Sequence, residues 1–103
     1  MDIYTVECLP GVQYELLGIV TGSTIQSKNA IHDFGAEMKS IFGGELRSYT
    51  NLMEQSRRQA QERMVAEAQK LGADAIIGVR FTTSAIMAQA SEVLMYGTAI
   101  RYK

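Results

Sequence analysis

A chain of 103 residues with 47% hydrophobic content is long enough for one domain with a core of its own. Ten basic residues against eleven acidic ones give a net charge of −1, which excludes the basic footprint of a general nucleic-acid binder. Cys8 is the single cysteine, so an internal disulfide is excluded and a reducing, cytoplasmic setting is expected.

The N-terminal MDIYTVECLP carries early acids and no long apolar stretch, so it does not read as a signal peptide. No apolar run approaches the roughly 20 residues of a membrane-spanning helix. The whole chain, residues 1–103, is expected to form one domain. Asp2 to Cys8 alternates weakly and suits a short first strand, and Pro10-Gly11 is a turn signal. Val12 to Ile25 predicts a long strand that becomes apolar on both faces through Leu16-Leu17-Gly18-Ile19-Val20. Gly18 and Gly22 inside it point to a bulge, a bend or the close approach of another backbone.

Lys28 to Phe42 predicts a helix, because Ile31, Phe34, Met38, Ile41 and Phe42 fall on one helical face. Gly43-Gly44 would end it. A second helix is predicted from Glu45 or Ser48 to Leu71, with a buried stripe of Leu46, Tyr49, Met53, Ser56, Ala60, Met64, Ala68 and Leu71. At 1.5 Å per residue it would be about 36–40 Å long, which is long for so small a domain. Gly72 is its stop signal. Ala75 to Thr82 and Glu92 to Tyr102 predict two further strands, each largely apolar on both faces.

An antiparallel sheet with one wet face should alternate apolar and polar residues, and three of these strands do not. Helices can cover one face. The simplest cover for the other is a further copy of the chain, so self-association is expected.

Four separated stretches carry a family resemblance: GIVTG at Gly18 to Gly22, KNAIHDFGAEMKSIFGGELRSYTNLMEQSRRQAQERM, AQKLGADAIIGVRF, and the closing EVLMYGTAI. Together, over essentially the whole chain, they resemble the YbjQ-like family, whose domain is labelled for heavy-metal binding. The resemblance implies an α+β fold, with two helices packed on one face of a small antiparallel sheet in a dodecin-like arrangement. It also implies a subunit that assembles into a homopentameric ring.

The candidate chemistry is sparse. Structural zinc takes four Cys or His ligands and catalytic zinc three, yet the chain has one of each, Cys8 and His32. A heavy-metal ion could be held by them only if a ring gathered these residues from several copies. As residues, Cys8 reads as a small half-buried side chain and His32 as a solvated helix position. No third group orients them as a nucleophile and base, and there is no phosphate loop or dinucleotide fingerprint. Met38, Met53 and Met64 fall on helical apolar stripes and read as core.

Arg80 stands out, because a guanidinium inside an apolar strand needs a carboxylate or an anion. One reading pairs it with a helix glutamate or an acid at a subunit interface. The other makes a small-anion or ligand pocket of Arg80, Thr82 and Ser84, with Tyr49, placed between subunits; an enzyme built around Arg80 and Tyr49 is its catalytic form. The apolar Ala85-Ile86-Met87-Ala88-Gln89-Ala90 reads as an interface or pore-lining loop, with a helix as the competing explanation. A homo-oligomeric binding or scaffold module is the leading functional expectation.

Overall fold

The computed structural model describes the backbone of residues 1–27, 47–87 and 90–103, and the side chains of 1–25, 50–87 and 90–103. The helix expected at Lys28 to Phe42, its Gly43-Gly44 stop, and His32 all lie outside the described residues, as do the side chains of Leu46 and Tyr49.

The elements in chain order are β1 (Asp2–Ile3), β2 (Tyr14–Ser27), α1 (Arg47–Lys70), β3 (Ala75–Met87) and β4 (Ala90–Tyr102). They form one four-stranded sheet in the order β1-β3-β4-β2. β4 runs antiparallel to both β2 and β3, whereas β1 pairs parallel with β3. The sheet is therefore mixed and not antiparallel as expected. β1 is also only two residues long, but its segment continues alongside β3: Tyr4 N–H donates to the Ile76 carbonyl (2.8 Å), Gly78 N–H to that of Val6 (2.7 Å), and Val79 N–H to that of Tyr4 (3.0 Å). A parallel pair needs a long crossover, and here the whole of β2 and α1 separates the two strands.

α1 spans 24 residues, about 36 Å. Its buried positions are Leu52, Ser56, Ala60, Met64 and Ala68, a row four residues apart, which is one of the ridges by which a helix packs. Met53 is half-buried and Leu71 exposed, so the stripe follows that ridge and departs from the expected one at both places. The helix ends as the sequence predicts. Gly72 takes φ +77°, Ala73 N–H donates to the Ala68 carbonyl (3.1 Å) and Gly72 N–H to that of Gln69 (3.0 Å). This is the Schellman pairing, which needs a left-handed residue.

α1 covers one face of the sheet, and small residues set the approach. A Cβ on Gly22 would stand 2.1 Å from the Ala60 carbonyl oxygen and 2.3 Å from the Met64 nitrogen. The core beneath the helix joins Met64 and Ala68 to Val20, Ile76, Val79 and Ala99. The buried hydroxyls are satisfied: Thr24 Oγ1 donates to the Ser56 carbonyl (3.0 Å), and Ser56 Oγ to that of Leu52 (2.9 Å).

The other face holds a smaller cluster, Ala75, Ile77 and Ile100 with Leu9 and Tyr14. Leu9 belongs to the N-terminal segment, so that segment covers one end of this face. Beyond it no other described residue outside the sheet covers this face. Residues paired across two antiparallel strands share a face; the pairs Leu16↔Ile100, Ile19↔Thr98 and Ile25↔Glu92 put three aliphatic side chains of β2 here. Leu16 is 69% exposed, Ile19 79% and Ile25 64%.

Two bulges set this arrangement. The register between β2 and β4 slips between Leu16 and Gly18, where Gly18 takes φ +139°. That slip returns Ile19 to the face of Leu16 and sends Val20 under the helix. The final strands are longer than predicted: β3 continues to Met87 and β4 starts at Ala90. The segment read as a loop or helix is thus mostly extended. Ala85 pairs with Ser91 and Met87 with Ala90, while Ala88 and Gln89 lie outside the described residues.

Candidate functional site

The second bulge positions Arg80. Between β3 and β4, Ile77 pairs with Thr98 and Arg80 with Tyr96, leaving Gly78 and Val79 opposite Gly97 alone. Gly78 adopts φ +62°, a left-handed conformation that favours glycine. Without the extra residue, strict alternation would aim Arg80 into the helix-covered core. With it, Val79 enters that core and Arg80 joins Ile77 on the opposite face.

Arg80 is anchored by backbone. Its Nη1 donates to the Thr5 carbonyl (2.7 Å) and to the Val79 carbonyl (2.9 Å). Its Nη2 lies 4.0 Å from Oε1 of Glu7, with the two side chains 49% and 87% exposed. A pair so open and so long contributes little. Within the described residues of this chain its partner is thus the N-terminal segment and not a glutamate of α1. Sequence reasoning missed it because nothing local links Glu7 or Thr5 to Arg80.

Beside Arg80 an open hollow of about 450 Å³ is lined by Glu7, Leu16, Ile77, Gly78, Arg80, Tyr96 and Thr98. Thr82 and Ser84 share Arg80's face, paired with Leu94 and Glu92, but both are exposed and neither lines the hollow. Tyr49 lies in the first turn of α1, and its side chain is outside the described residues. The structure thus brings Arg80 together with Glu7, Tyr96 and Thr98. The sequence signal that could have found this group was Gly78, a glycine inside an otherwise apolar strand.

A second polar group closes the sheet's end. Tyr102 N–H donates to Asp74 Oδ2 (2.8 Å), and Arg101 Nε to Glu15 Oε1 of the facing strand (2.7 Å). Loss of solvent around the Tyr102 phenol, with Tyr4 and Asp2 beside it as hydrogen-bonding neighbours, raises its pKa above the ordinary 10.0.

Cys8 is a free, exposed thiol. Among the described residues no three His, Cys, Asp or Glu side chains come together as a metal site. The described donors of one chain therefore do not fit a heavy-metal ion. No helix among the described residues is long and apolar enough to cross a membrane.

Among the described residues, one long helix across a mixed four-stranded sheet, with an apolar face and an arginine hollow opposite, defines a small α+β protein. The chain belongs to the YbjQ family: the YbjQ_1 family model, described as "Putative heavy-metal-binding", matches residues 1–103. It is 49% identical to a UPF0145 protein of Pseudothermotoga lettingae over 104 residues, covering 100% of this chain and 98% of that one. It is 54% identical to a UPF0145 protein of Photobacterium profundum over 87 residues, 84% of each chain. A crystal structure of a protein with unknown function of the DUF74 family, from Pediococcus pentosaceus, shares the fold. Its TM-score is 0.71 at 20% identity, over 100% of this chain and 98% of that one.

Proposed function

We propose that this YbjQ-family chain is a subunit of a cytoplasmic homo-oligomeric binding or scaffold module whose copies meet on the face of the sheet opposite α1. The observation that carries this is the row of Leu16, Ile19 and Ile25 along one face of β2, all more than 60% exposed. Covering such side chains favours association by roughly 1–2 kcal/mol each. Among the described strands β2, fourteen residues long, also lies at the sheet's edge, and a long edge strand invites a partner. The shape supports the same reading. The Cα radius of gyration is 16.8 Å, where a compact chain of this length would have about 13 Å. The five-membered, dodecin-like ring implied by the family resemblance is the form we propose.

Light scattering on the eluting protein over a hundredfold range of concentration tests this. A mass several times that of one chain supports it, and a monomer at every concentration refutes it. The family's heavy-metal label enters only through Cys8 and His32 gathered from several copies. Zinc or copper titration that is unchanged in a Cys8→Ser, His32→Ala double variant counts against that addition.

A second reading is favoured by the hollow at Arg80: a small-anion or ligand site on the same face, sharing Leu16 with the row through which copies would meet. It is a binding reading and requires no reaction.

A further inference from the structure

We propose that the hollow binds a small monocarboxylate with an apolar body, an aliphatic or aryl carboxylic acid, whose carboxylate takes Arg80 in place of Glu7. This rests on the ligand-site reading above and gives it a chemical class.

The guanidinium is already oriented. Nη1 is fixed by two backbone carbonyls, of Thr5 and Val79, so little side-chain freedom remains to be lost when a ligand arrives. Among the described residues Nη2 and Nε take no hydrogen bond. The nearest acid, Glu7, stands 4.0 Å away, too far to be one. Two donors of the planar fork that matches a carboxylate are therefore uncommitted.

Glu7 shows what the site accommodates. It is a carboxylate of the chain's own, resting near Arg80 on a side chain 87% exposed. A pair that open is weak, so a carboxylate from solution displaces it at small cost. The same acid discriminates among anions: with one guanidinium and one carboxylate in the hollow, a single negative charge is matched better than the double charge of a phosphate.

The rest of the lining is suited to an apolar body. Leu16 and Ile77 contribute aliphatic surface and Tyr96 a ring, with the Thr98 hydroxyl as a further polar group. Gly78 leaves space: a Cβ built there would meet nothing within 4 Å. The 450 Å³ of the hollow falls within the usual range for small-molecule sites.

Backbone NMR titration of the full chain with benzoate and hexanoate tests the proposal, with benzyl alcohol and inorganic phosphate as probes of class. Both carboxylates should shift the Gly78, Arg80 and Thr98 amides saturably, at least tenfold more tightly than the other two. Arg80→Gln should weaken benzoate at least tenfold. Because that variant also loses the N-terminal anchor, Glu7→Gln is the decisive partner. It removes an exposed competitor without touching the core, and should tighten benzoate about threefold or more.

No saturable shift with either carboxylate overturns the proposal. Unchanged or weaker binding in Glu7→Gln overturns the displacement of Glu7. Phosphate binding as tightly as benzoate overturns the carboxylate class while leaving a small-anion site at Arg80 standing, so the two failures differ. Sedimentation of the same samples reports self-association separately.

Discussion

Gly22 of β2 lies directly beneath Ala60 of α1: a Cβ on the glycine would stand 2.1 Å from the Ala60 carbonyl oxygen. The contact is with helix backbone, which no rotamer change can relieve. Gly22→Ala should therefore push α1 off the sheet and cost about 3 kcal/mol or more, at or above the upper end of ordinary overpacking. Urea unfolding of the variant beside the natural chain measures it; a loss under about 1 kcal/mol would mean that the helix is not seated there.

Gly78 makes a contrasting case. Its Cβ would meet nothing within 4 Å, but its φ is +62°. Gly78→Ala should cost about 1–2 kcal/mol, through left-handed strain alone. Gly78→Asn should cost less, because asparagine tolerates that conformation better. Equal losses for the two would argue for a steric cause instead.

Arg80 ties down the N-terminal segment, since its guanidinium holds the Thr5 carbonyl while Gly78 and Val79 donate to Val6 and Tyr4. Arg80→Met should expose the Gly78 and Val79 amides to hydrogen exchange about tenfold faster or more. Amides beneath the helix, such as that of Met95, should be little changed. Uniform acceleration throughout the sheet would show a global loss of stability instead of a released segment.

The Tyr102 phenol titrates above its ordinary value. A phenol whose folded pKa exceeds its unfolded pKa contributes stability that is fully present below about pH 10, the unfolded value, and lost as pH rises through the folded one. Alkaline titration followed by tyrosine absorbance should show a late-titrating phenol, and Tyr102→Phe should remove it. An unchanged titration curve in that variant contradicts the assignment.

Much of the frame could be read from sequence, because its signals are local. α1 announced itself by helical periodicity and by Gly72, and the cores of β2, β3 and β4 by apolar runs. The rest depended on pairing at a distance. β1 runs parallel to β3 through a partner far along the chain, and no residue near Asp2 encodes that direction. The outer half of β3, Thr83 to Met87, is small, polar or exposed, and gives no alternating pattern to extend the strand. Arg80 could be singled out as a charge in an apolar run, but the bulge at Gly78 decided which face it reached. Glu7, Leu16, Tyr96 and Thr98 join it only once the register is known. Thr82 and Ser84 were reasonable companions by strand alternation, and they do share its face, but the hollow lies on the other side of Arg80, toward Ile77 and Thr98.

The proposal that copies meet on the face opposite α1 is tested most directly at Ile19, the most exposed of its three aliphatic residues. Sedimentation velocity of Ile19→Glu beside the natural chain, at equal concentration, is the measurement. The natural chain should sediment as an oligomer, and the variant as a smaller species of unchanged circular dichroism. An identical sedimentation coefficient for the two would contradict it.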